Sequence, residues 1–197
     1  MVTARARLAR SEARGMDRDL VTAARRGDQA AFMDLVRPLS EWLFGIAVQI
    51  LRDIDRAEDA LQDALVIAWR DLRGLRDPDR FDAWLRRLLV NVCIREASRE
   101  RRRAVNLRVL PIDGPAAPDD LLSVADRDQL ERGFRRLDPR QRALLVLRHF
   151  EGRDTTEIAE LLGIPVGTAR SRLHHAHRAM RAALEADARG VAIGGPS

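Results

Sequence analysis

Helical periodicity interrupted once, near the middle of the chain, is the feature that most constrains the fold. On both sides of residues 103–122, apolar residues recur three and four positions apart, and Ala, Leu, Arg and Glu dominate. Within that segment the periodicity stops, and Pro111, Pro115 and Pro118 appear beside several Asp residues. Such a composition is typical of an extended linker. The pattern predicts an all-α protein in which a flexible acidic linker joins two small helical domains.

The chain of 197 residues divides into five predicted segments. Residues 17–102 form a four-helix domain, residues 103–122 the Pro-rich linker, and residues 123–185 the second domain. A basic arm (1–16) and a tail (186–197) are expected to be disordered. The length suits two small domains, and 46% apolar residues exclude a globally disordered chain.

Charge is distributed in blocks along the chain. All 35 Lys+Arg positions are Arg, so the isoelectric point of about 11.0 reflects the absence of Lys and Tyr more than the modest net charge of +5. The net charge is +3 over residues 1–16, −2 over 17–94, +4 over 95–108, −4 over 109–130 and +4 over 131–185. Alternating blocks indicate separate surfaces for separate partners.

Several classes of protein are disfavoured by the sequence. Cys93, the single Cys, lies in an apolar run and is expected to be a buried, inert thiol. Neither a secretory signal nor a run of 18 apolar residues is present, so we expect a cytoplasmic protein without membrane insertion. No nucleophile with a neighbouring base, phosphate loop or catalytic carboxylate pair is recognisable. We therefore expect no enzymatic activity, no cofactor and no metal site.

The third predicted helix, from about Asp55 to Leu72, has two different faces. One face carries Asp59 and Asp63, a like-charge pair one turn apart, beside Val66 and Ile67. This face is either a docking surface or an ordinary solvated face with two stray apolar residues. The opposite face is the expected core stripe, formed by Ala57, Leu61, Ala64, Leu65, Ala68, Trp69 and Leu72.

The fourth predicted helix, from about Asp79 to Arg102, changes character along its length. Its apolar run "LLVNVCI" is expected to be buried between neighbouring helices. Asn91, the polar member of that run, either makes a hydrogen bond inside the core or faces a pocket. The Arg-rich end "REASRERRRA" is either a solvated end favoured by the helix dipole or a surface that contacts phosphates.

The second domain contains a predicted helix-turn-helix motif. Asp154 and Glu157 form a capping box at the start of a short helix. Gly163 ends that helix, and Pro165 lies in the first turn of a longer one. A short helix, a tight turn containing Gly and a longer helix together define the motif. The inner stripe of the longer helix consists of Val166, Ala169, Leu173, Ala176, Met180 and Leu184.

The outward face of the longer helix is suited to DNA. Arg side chains recognise guanine edges and phosphates, and Ser and Thr contact either. A metal site at His174, His175 and His177 is not expected, because the three side chains point about 60° to 160° apart without a neighbouring Cys or carboxylate. The outward residues are Gly167, Thr168, Ser171, His174, His175 and Arg178, with Arg170, Arg172 and Arg181 on the flanks.

Three stretches carry a resemblance that covers about residues 17–185. They are "RAEDALQDALVIAW", "FDAWLRRLLVNVCIREASRERRR" and, after the linker, "LDPRQRALLVLRHFEGRDTTEIAELLGIPVGTARSRLHHAHRAM". Together they resemble the extracytoplasmic-function (ECF) group of sigma-70-type bacterial RNA polymerase sigma factors. The resemblance implies a sigma-2-like domain over 17–102, a sigma-4-like domain over 123–185, and a linker that threads toward the RNA exit path.

The resemblance also implies roles for individual residues. The third helix matches the segment that docks on the clamp helices of the polymerase largest subunit, through Asp59, Gln62, Asp63, Val66 and Arg70. The loop from Arg73 to Arg80 and the fourth helix match the surface that opens and reads the minus-10 element, through Leu75, Arg76, Asn91, Arg95 and Arg99. The longer helix of the second domain matches the minus-35 reader, through Thr168, Arg170, Ser171, Arg172, His174, His175 and Arg178.

The expected partners are core RNA polymerase, promoter DNA and an anti-sigma factor. The chain departs from the family at Leu75, where an aromatic residue is common, and at His175 and His177, where Arg is common; a phosphate contact by His is weaker or pH-sensitive. Two alternatives stay open at this point. One is a free-standing dimeric helix-turn-helix regulator that binds a palindrome, and the other is a protein that mainly sequesters a regulator or is sequestered by one.

Overall fold

The structure is a computed structural model and describes residues 18–107 and 124–193. Within these ranges the fold is helical and contains no β-strand, as the sequence predicts. Two 3₁₀ turns, Leu72–Gly74 and Pro78–Arg80, join the third helix to the fourth, and a π-helical turn, Val146–Phe150, follows the sixth. The α-helices are α1 (18–25), α2 (Gln29–Leu51), α3 (Ile54–Asp71), α4 (Phe81–Leu107), α5 (Val124–Arg136), α6 (Pro139–Leu145), α7 (Thr155–Leu162) and α8 (Val166–Ile193).

Helices α1 to α4 form the first domain, with the four helices expected. The buried residues of α3 are all Ala, namely Ala57, Ala60, Ala64 and Ala68. Small side chains on this face allow neighbouring helices to approach closely. Large side chains from α2 and α4 then fill the core, and the most deeply buried among them are Leu43, Ile46, Ile50, Leu85 and Leu89.

The predicted core stripe of α3 is correct for its Ala residues and for Leu72. Leu61 and Leu65 are half-buried and pack against the edge of the core. Trp69 was expected inside but is 37% exposed, and its ring meets that of Phe32 edge-on with centroids 5.2 Å apart. The bulky indole lies at the margin of the helix pair, where one face of the ring remains in solvent.

The apolar run in α4 is half-buried at its two ends, Leu88 and Ile94, and buried between them except at Asn91. Leu89, Val90, Val92 and Cys93 are at most 4% exposed, whereas Asn91 is exposed. The interpretation of Asn91 as a core hydrogen-bonding residue is therefore wrong. Burial raises the pKa of the Cys93 thiol to about 12, which agrees with the expected inert thiol because the reactive thiolate is suppressed.

Helices α5 to α8 form the second domain, which has a small apolar cluster of its own. Leu137, Leu145, Ala176 and Met180 make up this cluster. Other apolar side chains of the domain belong to the same continuous core as α1 to α4, so the two domains are packed against each other. These shared residues are Ala143, Leu144, Val146, Leu147, Ile158, Leu161 and Leu173.

The helices extend past the predicted domain boundaries. Helix α4 continues beyond residue 102 to Leu107, and α8 continues beyond residue 185 to Ile193. Good helix formers in both extensions explain the difference, and the first Pro after α4 is Pro111. The predicted basic arm, most of the linker and the last four residues lie outside the described residues. In the described ranges, no helix is both long and apolar enough to span a membrane.

Candidate nucleic-acid and polymerase interfaces

The helix-turn-helix is built by local interactions that fix α7 at both ends. Asp154 accepts hydrogen bonds from the backbone N–H groups of Thr156 and Glu157 at 2.7 and 2.8 Å. The Glu157 carboxylate accepts one in return from the Asp154 N–H at 2.9 Å, which completes the predicted capping box. Gly163 ends α7 in the left-handed region with φ of 64°, a conformation that favours Gly. These contacts set the angle at which α8 leaves the turn.

Helix α8 separates its buried and exposed residues as the sequence predicts, with three exceptions. Val166, expected inside, is 38% exposed. Leu184, expected inside, and Thr168, expected outside, are half-buried. Pro165 precedes α8, and its carbonyl accepts from the Ala169 N–H at 3.0 Å. The remaining candidate minus-35 residues are all exposed, namely Arg170, Ser171, Arg172, His174, His175 and Arg178. We call these six residues the open basic face.

Two histidine pairs lie along α8. The rings of His174 and His175 are 5.9 Å apart between centroids. The ring of His177 meets His149 of the π-helical turn edge-on at 5.1 Å, a pairing that the sequence gives no means of seeing. Partial burial, then the nearby positive charges of His177 and Arg148, lower the pKa of His149. Among the described residues no group of three metal-ligating side chains occurs.

The candidate docking face lies on α3 and is open to solvent. Asp59, Gln62 and Asp63 are exposed, and the Val66 side chain is 66% exposed. Arg70 is exposed too, and its Nε donates to the carboxylate of Asp71 at 2.8 Å. This hydrogen bond raises the pKa of Arg70 and lowers that of Asp71. The face therefore combines two exposed carboxylates with an exposed apolar side chain, a mixture suited to a protein partner.

The loop between α3 and α4 is held in place by contacts with the apolar core and with α1. Leu75, a candidate minus-10 contact, is only 7% exposed and belongs to the apolar core, so its side chain is not presented to DNA in this structure. Asp79 accepts two hydrogen bonds at 2.6 Å from the Arg18 guanidinium. Leu75 thus anchors the loop, and the predicted DNA contact at that side chain is corrected. Arg76 remains exposed beside it.

The candidate minus-10 residues of α4 line a cleft between the two domains. Asn91 and Arg95 lie on its first-domain wall together with Ile67. Ile67 is half-buried there rather than exposed as expected. Arg140 and Arg172 lie on the second-domain wall, and the cleft has a volume of about 520 Å³. Four guanidinium groups, including that of Arg70, line this cleft, so it would attract phosphate or carboxylate groups.

Arg99 lies beyond the cleft and is exposed. One of its guanidinium nitrogens is 3.7 Å from the carboxylate of Glu96, one helical turn away. The Glu96 carboxylate also lies 3.8 Å from the guanidinium of Arg56 on α3. Further along the Arg-rich end, a guanidinium nitrogen of Arg101 lies 3.6 Å from the carboxylate of Asp138. Arg102 and Arg103 are exposed.

Two family models match this chain and correspond to its two domains. Sigma-70 region 2 matches residues 35–103, and Sigma-70 region 4 matches residues 127–180. The RNA polymerase sigma-H factor of Pseudomonas aeruginosa is 32% identical over 181 residues, covering 86% of this chain and 94% of that protein. Other relatives carry the name ECF RNA polymerase sigma factor.

Solved structures give the same result for the fold. CnrH in complex with the cytosolic domain of CnrY matches with a TM-score of 0.59 and 31% identity, covering 87% of this chain and 99% of that chain. The sigma factor RpoE in complex with the anti-sigma factor NepR from Bartonella quintana matches in fold with a TM-score of 0.60 and 24% identity, covering 79% and 98%. The chain belongs to the ECF group of the sigma-70 family of RNA polymerase sigma factors.

Proposed function

We propose that this sigma factor directs core RNA polymerase to its promoters through three separate surfaces, one for the polymerase and two for DNA. The open basic face on α8 is the observation that carries the proposal. Six candidate base-reading or phosphate-contacting side chains are exposed together on one helix of a helix-turn-helix motif. Arg170 and Arg178 are suited to guanine edges or phosphates, and Ser171 to either. This face reads the minus-35 element.

Asn91, Arg95 and Arg99 of α4, with Arg76 of the preceding loop, form the proposed minus-10 surface. Asn91 is exposed on the wall of the interdomain cleft, where its amide can donate to and accept from a base edge. Arg95 lies one helical turn away on the same wall of the cleft, and its guanidinium is suited to a phosphate contact. An unstacked base held in this way would help to open the duplex, because the cost of unstacking is partly offset by the pocket.

The docking face on α3 binds core polymerase. Asp59, Gln62, Asp63 and Val66 offer carboxylates, an amide and an apolar side chain to the clamp helices of the largest subunit. Each surface alone binds weakly. Placing both domains on one platform raises their effective concentration at the promoter, so that the pair becomes selective.

The protein acts without catalytic chemistry of its own and works in the cytoplasm, where the polymerase is. An anti-sigma factor is a further proposed partner. Its support is that the solved relatives RpoE and CnrH were crystallised with regulatory partners, NepR and CnrY. Gel filtration with the product of the neighbouring gene tests this partner, and a mixture that elutes as separate components would exclude that product.

Promoter-dependent transcription with purified core polymerase tests the proposed function. Run-off product above the level of core enzyme alone is expected on promoters identified by sequencing transcripts after overexpression. No stimulation on any of those promoters would reject the proposal. A DNase footprint obtained without polymerase on a palindromic site would favour the free-standing regulator instead.

Asp63→Arg tests the docking face. The substitution places a cation where the polymerase is expected to meet a carboxylate, so affinity for core should fall about tenfold or more. Asp34→Arg is the matched control, because Asp34 is an exposed residue of α2 and the change in net charge is identical. Equal core affinities of the two variants in a pull-down would reject the assignment of the docking face.

A further inference from the structure

A buried arginine joins the two domains by capping two helices at once. Arg142 of α6 is 8% exposed. Its Nη1 donates to the carbonyl of Ile50 at 2.9 Å, at the end of α2 in the first domain. Its Nε and Nη2 donate to the carbonyls of Phe134 and Arg135 at 3.0 and 3.3 Å, at the end of α5 in the second domain. Carbonyls in the last turn of a helix lack helical partners, and a cation is favoured there.

An ion pair beside Arg142 makes a second bridge between the domains. Arg52 caps α2 in the left-handed region with φ of 57°, and its guanidinium forms a salt bridge with Glu131 of α5. Glu131 is 8% exposed and also accepts from the Nε of Arg135 at 3.0 Å. The Arg52 guanidinium in addition lies 5.7 Å from the ring centroid of Phe134.

This cluster brings several positive charges together in a buried place. The guanidinium groups of Arg52 and Arg135 both bind the Glu131 carboxylate, and both repel that of Arg142. Burial, and then repulsion by neighbouring Arg residues, lowers the pKa of Arg52 and that of Arg142 to about 10. A buried charge left without its partner is strongly destabilising. The interface at this point therefore depends on Glu131 and on the carbonyls that Arg142 caps.

The closed arrangement brings surfaces together that promoter binding must separate. Asn91 and Arg95 are exposed to solvent, but Arg140 and Arg172 on the opposite wall of the cleft restrict the space in which a nucleic acid could reach them. Two elements about 25 base pairs apart are separated by about 85 Å along DNA, at 3.4 Å per base pair. Helix α8, with 28 residues, is only about 42 Å long at 1.5 Å per residue. One domain alone is therefore too short to reach from one element to the other.

We propose that the Arg142 and Glu131 contacts form an interdomain latch that keeps the free protein closed, shields the minus-10 surface, and must open before promoter DNA is engaged. The proposal rests on the proposed function for the identity of the shielded surface. Its mechanical part, a closed state held by these residues, stands on the contacts alone. The two parts are therefore tested by different measurements.

Spin-label distances in the full chain test the closed state. Labels are attached through Glu41→Cys on α2 and Ala182→Cys on α8, both exposed positions, while buried Cys93 stays unlabelled. Two variants weaken the latch: Glu131→Gln removes the carboxylate, and Arg142→Met removes the donors while keeping most of the side-chain volume. Circular dichroism checks that each variant keeps its helices.

Both variants should show a longer and broader distance distribution than the parent. The swapped pair Arg52→Glu with Glu131→Arg keeps an ion pair between the two positions and leaves the net charge unchanged, so it should return the distribution toward the parent. Unchanged distances in Glu131→Gln and Arg142→Met would overturn the latch. If Glu131→Gln loses helical content, the distance distributions of Arg142→Met and of the swapped pair test the latch instead.

Binding of fluorescein-labelled single-stranded DNA of mixed sequence to the free protein tests the shielding. Opening should tighten binding about three- to tenfold, since it frees further Arg side chains for phosphate contacts. Longer distances without tighter binding would overturn the shielding and leave the closed state standing. A different outcome is that the latch variants show longer distances while the parent protein with core polymerase gives no promoter-dependent transcription. That outcome would reject the proposed function and leave the latch standing.

Discussion

The two candidate DNA surfaces use similar side chains and differ in access. The open basic face of α8 points into solvent, whereas Asn91 and Arg95 of α4 line a cleft whose other wall belongs to the second domain. Both surfaces combine Arg with a neutral hydrogen-bonding residue. The difference arises from domain packing and not from composition. In a two-domain DNA-binding protein, the side chains of a surface therefore determine what it can bind. The packing between the domains determines in which conformation that surface is accessible.

Removing Arg170 from the open basic face should have the largest effect. Loss of a guanidinium that contacts a guanine edge costs about 1–3 kcal/mol, so Arg170→Ala should lower promoter-dependent transcription by about 5- to 150-fold. Arg181→Ala, at an exposed position further along α8, is the control and should cost less than about threefold. Equal losses in run-off transcription would mean that the face acts through its total charge.

The effect of Asn91→Ala on DNA interaction should appear only after core polymerase is added. One lost hydrogen bond to a base costs about 1–1.5 kcal/mol, so open-complex formation by the holoenzyme should fall about tenfold in a permanganate footprint. Binding of single-stranded DNA by the free protein should change little, because the residue lies inside the cleft. Glu100→Ala, at an exposed position on α4, serves as the control. An equal loss with and without polymerase would show that the cleft is accessible in the free protein.

The N-terminal caps of two helices can be compared: α7, which precedes the proposed minus-35 reader, and α3, which carries the docking face. Asp154 accepts from two backbone N–H groups at the start of α7, and Asp53 accepts from one at the start of α3. Ala at either position should lower the free energy of unfolding by about 0.5–2 kcal/mol, with the greater loss for Asp154→Ala. Urea denaturation of both variants measures the difference, and a greater loss for Asp53→Ala would contradict the order.

The smallest expected effect is a pH dependence at His149. Its pKa is lowered from the ordinary value of 6.5, so the unfolded chain takes up a proton before the folded chain does. Stability from this group is complete above about pH 6.5 and is lost as the pH falls below that value. The side chain is exposed, so the change should stay well under about 1 kcal/mol. The melting temperature should therefore fall slightly between pH 7.5 and pH 5.5. This pH dependence should be slightly weaker in His149→Gln than in the parent protein and unchanged in His174→Gln.

Local features of the fold were predictable because neighbours in sequence determine them. Asp154, Glu157 and Gly163 lie within one short helix and its ends, and their side chains alone are enough to start and stop it. The alternation of buried and exposed residues along α8 follows from the same helical period. These two local features are enough to predict most of the open basic face from the sequence alone.

Long-range contacts explain what could not be predicted. Arg52 and Glu131 are separated by 79 positions, and Arg142 and Ile50 by 92, so no local pattern links them. The burial of Leu75 and the exposure of Asn91 could not be read from the local sequence for the same reason. An apolar residue in a loop and an amide in an apolar run each fit two environments, and the packing of distant segments decides which one is occupied.

The π-helical turn Val146–Phe150 sets the register of everything that follows α6. A π turn holds one residue more than an α-helical turn of the same length. The ring of Phe150, the last residue of the turn, lies against Gly45, 3.6 Å from where a Cβ on that glycine would be. The carboxylate of Glu151, the next residue, lies 3.6 Å from the guanidinium of Arg86. Deleting a single residue from this turn would rotate the following chain by about 100° and move both side chains off their partners in the first domain. The spacing between α6 and α7 is therefore intolerant of insertions and deletions.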